Sequence, residues 1–475
     1  MPKRLTSVWI VVCLGAVVGL MAGQRRTLAH ENETTALVAA NESGFVRTVN
    51  LNGALDLNNP FFKELGTNGR SCFSCHRPAQ GWSITPESVR RRFDESRGLD
   101  PIFRTNDGSN CEGADISTIA RRRAAFSQLL NKGLIRVGID VPTPAEFVIE
   151  AVDDPYQCGA SLSAASMYRR PLPSTNLRFL SAVMSDGRES TPATSVLQDL
   201  AHQSNAATLG HAQATLDLTT QERQDIVAFE TGLFTAQVWD RDAGRLHDDG
   251  AQGGPVALSQ QPFFIGINDP VGLNPTNAPF DSRAFTIFDA WSALRARHGH
   301  DDDGHHDERD DSARRAIARG QEIFNTRPIV LSGVAGLNGQ TFSNGVTLPA
   351  SFTGTCTTCH DAPNAGDHSV KAPLNIGLTD ASRRTPDMPL YTLRRRSNGD
   401  SVQTTDPGRA MITGKWADIG KFKGPILRAL GSRAPYFHNG LAASLEEVLD
   451  FYESRFSLGL TPHEKADLVA FLRAL

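Results

Sequence analysis

Two five-residue segments, Cys72-Phe73-Ser74-Cys75-His76 and Cys356-Thr357-Thr358-Cys359-His360, repeat one spacing of thiols and imidazole. Cys-x-x-Cys-His is the covalent attachment signature of a c-type haem: two thiols add to the vinyl groups, and the His that follows lies beneath the iron as its proximal ligand. A zinc site would need further closely spaced Cys or His ligands, which neither copy has, and a redox dithiol has no use for a His at the same place in both copies. The pattern therefore predicts two covalently bound haem c groups, attached at Cys72, Cys75, Cys356 and Cys359, with His76 and His360 on the irons.

The chain has 475 residues, enough for two or three domains with proper cores. A net charge of -4 gives no electrostatic case for nucleic acid as a partner. Lys3 and Arg4 precede an apolar run from Val8 to Ala22 and then Thr27-Leu28-Ala29, which reads as a secretory signal over 1–29 with cleavage after Ala29. The alternative is an uncleaved anchor, since the run approaches the ~20 residues of a span. No later stretch is apolar enough to cross a bilayer, so the expectation is a periplasmic chain with no stable membrane span after cleavage. Of seven cysteines, Cys13 lies in the signal and four carry haem. Cys111 and Cys158 are left to form a disulfide in an oxidising compartment, or to remain as buried thiols.

Residues 30–50 are polar and weakly patterned and read as a mobile lead-in. Asn59-Pro60 opens a short helix that delivers the chain to the first attachment segment. Between His76 and Tyr168 the pattern gives turn-rich segments and one helix, Ser117 to Leu130. Thr219-Thr220-Gln221-Glu222 is a capping box that starts a helix running to Phe234. This segment returns at the end of the chain, where Leu218 to Phe229 runs in register with Leu460 to Phe471, each following an attachment segment. The repetition predicts two domains of one plan, 30–239 and 312–475, in which a helix before the haem packs on the domain's last helix. In the second, that first helix is Ser312 to Asn325, where Gly320 permits close approach. The intervening 240–311 is rich in Gly, Pro, Asn and Asp. Its His/Asp run from Arg297 to Glu308 reads as a solvated loop, with metal binding as the alternative.

Phe422-Lys423-Gly424-Pro425-Ile426-Leu427-Arg428, Ala434-Pro435-Tyr436-Phe437-His438-Asn439-Gly440 and Ser444-Leu445-Glu446-Glu447-Val448 resemble segments of the bacterial di-haem cytochrome c peroxidases and the related MauG-type di-haem oxygenases. The resemblance covers about three quarters of the chain. It implies a mainly α protein of two cytochrome c-like domains with a loop-rich insertion between them. It also implies hydrogen peroxide reduced at the His76 haem, electrons relayed through the His360 haem from a small donor such as a cytochrome c, and calcium as a family feature that falls on no identifiable residues here. Where these families place Met or Tyr as sixth ligand of the second haem, this chain has Tyr452, which the resemblance assigns to the iron, with Met411 as fallback. An anionic oxygen ligand favours ferric iron, whereas Met raises the potential.

The first haem departs from the family. No His lies between His76 and His202, so its sixth position is open or is filled by a distant group. His211 and His202 are the candidates for the catalytic acid/base, with Gln203 behind them. The family's bridging Trp is replaced by Ser185, leaving Trp82 as the substitute or as an ordinary core residue. Arg178 and Arg428 are candidates to pair with haem propionates, for which a forked guanidinium is suited. Three readings follow: a peroxidase, an oxidase that modifies a protein or organic substrate, and a non-catalytic electron-transfer cytochrome.

Overall fold

The computed structural model describes residues 37–191, 193–294 and 308–475. The signal segment, Cys13 and nearly all of the His/Asp run lie outside the described residues. The expectation of a mainly α chain is wrong: the structure is 31% helical and 17% strand, with four small antiparallel sheets.

Three of these sheets arise where the sequence pattern suggested loops. Residues Val38–Asn41 and Gly44–Asn50, read as a mobile lead-in, are strands paired with each other, and the second also pairs with Leu233–Asp240. Their alternation is short, but Val46 and Thr48 both turn inward, and the Thr48 hydroxyl meets Thr235 at 2.8 Å. Ile135–Asp140 pairs with Ala164–Arg169. Phe147–Asp153 pairs with Leu390–Arg395, which also pairs with Ser401–Thr404. That third sheet joins the two halves of the chain, and Phe147, Ile149, Tyr391 and Leu393 share its buried cluster. A local pattern carries no signal for a partner strand this remote, which is why the strands were invisible.

The helices are closer to expectation. Thr220–Gly232 and Pro462–Ala474 each begin with a full capping box, Thr219 with Glu222 and Thr461 with Glu464. Each hydroxyl accepts an otherwise orphaned amide while the carboxylate answers the cap's own N–H. Leu445–Phe456 is capped by Ser444. The helix foreseen over Ser117 to Leu130 is two pieces, Ile119–Ala125 and Ser127–Lys132, broken at Phe126. An unforeseen helix, Pro86–Ser96, starts at Thr85-Pro86 and buries Val89 and Phe93. Within the segment expected to be loop-rich, Phe285, Phe288 and Trp291 are fully buried against the last helix.

Glu308–Thr326 crosses Pro462–Ala474 at Gly320, where an added Cβ would lie 2.0 Å from the Asp467 carbonyl oxygen and 2.7 Å from Phe471 Cβ. Gly320→Ala is therefore expected to destabilise the protein by about 1–3 kcal/mol, the ordinary cost of overpacking. Denaturant unfolding checks it, and a change within ~0.5 kcal/mol would refute the close contact.

Candidate active site

Both attachment segments fold into the same small device. Cys72–Ser74 and Cys356–Thr358 are single 3₁₀ turns, closed by hydroxyls that accept from the backbone: Ser71 N–H to Ser74 Oγ at 3.0 Å, and Thr355 N–H to Thr358 Oγ1 at 3.0 Å. Each His then meets a carbonyl six residues on, His76 Nδ1 to Trp82 O at 2.9 Å and His360 Nδ1 to Gly366 O at 2.8 Å. A carbonyl can only accept, so Nδ1 carries the proton and Nε2 keeps the lone pair. Both acceptor residues have positive φ, 59° at Trp82 and 71° at Gly366. At the second, glycine is required on space as well, since a Cβ would lie 2.8 Å from the Phe285 ring.

Under each imidazole sits a matching aromatic pair. Phe61 lies 6.2 Å from the His76 ring and 4.9 Å from Phe229, while Phe324 lies 6.0 Å from His360 and 5.7 Å from Phe471. Burial holds both imidazoles in the neutral, ligating form, pushing His76 down to about 4 and lowering His360 as well. The four thiols are unpaired with one another, and burial pushes Cys72, Cys356 and Cys359 up to about 12. All four, with both His, line one continuous, mainly apolar cavity. Paired thiols beside an Nε2 lone pair, facing an apolar void, are the donor set that covalent haem requires, so the residues present fit two such groups.

The cavity wall also carries half-buried cations that make no ion pair among the described residues. Arg433 has an enclosed, unpartnered Nε, and burial lowers its guanidinium to about 10. Lys423 Nζ reaches only the Gly424 carbonyl, at 3.1 Å. Such orphaned positive groups suit propionates. Of the two arginines expected there, Arg428 is 2% exposed but lies outside the cavity lining, and it gives one bond to Asn364 O at 2.9 Å, with Nε and Nη2 unpartnered. Arg178 is exposed and lies over the Phe234 ring at 5.5 Å, away from the cavity. Lys423 lies within the first quoted motif and Arg433 directly precedes the second, and that placement was the available signal.

The far sides of the two pockets differ. Tyr452 lines the cavity and packs with Cys356 and Cys359, and its phenol is pushed well up by burial and then by those sulfurs. Met411 is instead a core residue against Phe147 and Tyr391. In the first pocket, His211 lines the cavity as the last residue of the Val196–His211 helix. Its Nδ1 is bound to Asp107 Oδ2, and Arg70 Nη1 holds the other carboxylate oxygen at 2.5 Å. Arg70 is itself fixed by Pro101 O at 2.8 Å and Ile102 O at 2.6 Å. Burial works to raise the Asp107 carboxyl, but His211 and Arg70 together hold it below the usual range. Asp107 was missed in the sequence because it lies 31 residues beyond His76 with no pattern around it.

His202 is turned away, with its side chain 75% exposed and Nδ1 on Glu189 at 2.5 Å. Gln203 does reach the cavity. Trp82 is a core residue packed on Phe61 and Phe229, with its indole N–H on Thr48 at 2.9 Å. Between the pockets runs a buried ion cluster: Arg169 binds Asp406 at 2.7 and 2.8 Å and Asp186 at 2.5 Å. His438 stacks on Phe422 with its Nε2 3.4 Å from Asp406 without hydrogen-bond geometry, and burial lowers the imidazole. Cys111 and Cys158 are disulfide-bonded with Cα atoms 5.3 Å apart. Among the described residues no group of three or more His, Cys, Asp and Glu is arranged to hold a metal ion, and no helix is long and apolar enough to cross a membrane.

No family model matches the chain. It is 34% identical over 140 residues to the cytochrome-c peroxidase IdrP1 of Pseudomonas sp. (strain SCT), a match covering 25% of this chain and 36% of that protein. It is 35% identical over 132 residues to the cytochrome-c peroxidase IdrP2 of Denitromonas iodatirespirans, covering 26% and 36%. The matches thus span about a third of the relatives' length. A solved MauG-like protein associated with microbial copper homeostasis aligns over 66% of this chain and 74% of its own, at 19% identity and a TM-score of 0.31.

Proposed function

We propose, on the premise that this chain is related to the di-haem cytochrome-c peroxidases, that it is an exported di-haem oxidoreductase reducing hydrogen peroxide in the periplasm. The observation that carries the reading is one cavity receiving two identical attachment devices with unlike surroundings, His211–Asp107 in one and Tyr452 in the other. The bound haems supply electron storage and the iron at which the O–O bond is reduced. His76 and His360 would hold them through Nε2, and Lys423 and Arg433, which line the cavity, would answer their carboxylates. The halves 30–239 and 312–475 act as two haem domains joined through 240–311.

Reducing peroxide to two waters consumes two electrons and two protons. Asp107 fixes the Nδ1–H tautomer of His211, which leaves Nε2 as the nitrogen that exchanges a proton with the cavity. Electrons enter from a small donor such as a cytochrome c on the His360 side. The test is haem content of the purified chain followed by peroxide-dependent oxidation of a reduced small cytochrome c. Two covalent haems with turnover support the reading, and absence of either overturns it.

Tyr452 favours a second reading, an oxidase that modifies a protein or organic substrate, because an anionic oxygen ligand holds iron ferric. A covalently altered partner with slow donor oxidation would select it. Tyr452→Phe is expected to abolish the low-spin ferric signal of the His360 haem in electron paramagnetic resonance. An unchanged spectrum removes Tyr452 from the iron.

A further inference from the structure

Glu230 is a buried acid on the wall of the first haem pocket that the chemistry above does not use. It sits in the last turn of Thr220–Gly232, 7% exposed, and lines the cavity on the side of Cys72. Its Oε2 is enclosed without a hydrogen-bond partner, and the carboxyl makes no ion pair among the described residues. The internal repeat shows what an ordinary residue does here. With Leu218 in register with Leu460, Ile226 corresponds to Leu468, Phe229 to Phe471 and Glu230 to Leu472. Ile226, Leu468 and Leu472 also line the cavity, and Leu472 belongs to an apolar core cluster. The same helix position therefore faces both pockets, apolar in the second and carboxylic in the first.

Resting on the di-haem reading, we infer that Glu230 is a proton-binding site coupled to electron uptake at the His76 haem, so that the two pockets differ in potential through this residue. A carboxylate enclosed beside a ferric haem stabilises its extra positive charge. When one electron enters, that charge is lost and the carboxylate is left uncompensated, so one proton follows the electron and yields the neutral acid. Burial already pushes the carboxyl up to about 8, with no opposing charge acting on it. The elements packed on its helix carry Asp199, His202 and His211 on Val196–His211, Arg178 on the turn Leu177–Phe179, Arg47 on Gly44–Asn50 and Asp240 on Leu233–Asp240. Lys63, Arg70 and Asp107 complete the charged wall of that pocket. None of these pairs with Glu230: Asp107 takes His211 and Arg70, and His202 takes Glu189.

The test is spectroelectrochemical titration of the full-length holoprotein between pH 6 and 10, as wild type, Glu230→Gln and Glu230→Leu. One of the two wild-type potentials is expected to fall with rising pH, approaching about 59 mV per unit, the one-electron equivalent of a tenfold change in proton activity. That slope disappears in both variants while the second potential stays in place. A wild-type protein with no sloping wave, or a slope retained in Glu230→Gln, overturns the inference. Should the variants not fold, redox-difference infrared spectra of the wild type decide it, because a carboxyl C=O band has to appear on reduction. A chain lacking covalent haem overturns both this inference and the di-haem reading, whereas two haems with pH-independent potentials overturn this one alone.

Discussion

His211→Ala is expected to lower peroxide turnover by roughly 10²- to 10⁴-fold, the range of a positioned acid/base, with both covalent haems retained. The expectation rests on geometry: a helix terminus brings the ring to the cavity, and Asp107 takes Nδ1. Arg70 keeps Asp107 ionised, so the carboxylate orients the ring through Nδ1. Asp107→Asn retains the shape and removes that charge, and it should cost about tenfold to a hundredfold in turnover. His202→Ala serves as the comparison, since that ring is exposed and held by Glu189 away from the cavity. Steady-state oxidation of a reduced cytochrome c across pH 5 to 9 measures all three. Equal activity in the His211 and His202 variants would leave the His76 haem without a side-chain proton donor of this kind.

Arg169→Leu is expected to destabilise the fold by about 3–5 kcal/mol at neutral pH, because two buried carboxylates lose their one shared cation. Burial works to raise Asp406 and Asp186, yet the Arg169 charge holds both below the ordinary carboxylate range. The sign with pH follows. Groups depressed in the folded state stabilise fully above their unfolded value of ~3.9 and lose that contribution as pH falls toward the folded value. Wild-type stability should therefore drop below about pH 4. In Arg169→Leu Asp406 would be raised by burial while Asp186 keeps Arg188 at 3.1 Å, so acidification should cost the variant less stability than it costs the wild type. Denaturant midpoints at pH 7 and pH 4.5 distinguish the two, and parallel behaviour would show that the cluster carries little of the stability.

The parts of this site that a linear reading finds are those whose chemistry is local. Cys-x-x-Cys-His contains both thiols and the ligand within five residues, and each capping box is complete within four. The duplicated last helix was legible for the same reason. Asp107 and Arg169 were not, because what defines them is company from distant positions: His211 for one, Asp406 for the other. The strands failed likewise, since Phe147–Asp153 becomes a strand by meeting Leu390–Arg395. Glu230 lay between these cases. It falls four residues after Ile226 on the buried stripe and one residue past the register of Leu218 to Phe229 with Leu460 to Phe471, so extending that register by one position sets this acid opposite the apolar Leu472.

The sheet that joins Phe147–Asp153 to Leu390–Arg395 has a mechanical consequence. Its rungs run from Leu390 opposite Asp153 to Arg395 opposite Phe147, and Arg169 with Asp406 forms a further tie between the same halves. Sliding one half against the other would break several backbone rungs at once and expose Tyr391 and Leu393 to water. The chain is a riveted pair rather than two tethered beads, and on the di-haem proposal an electron passing between the two attachment segments would cross a gap of constant width.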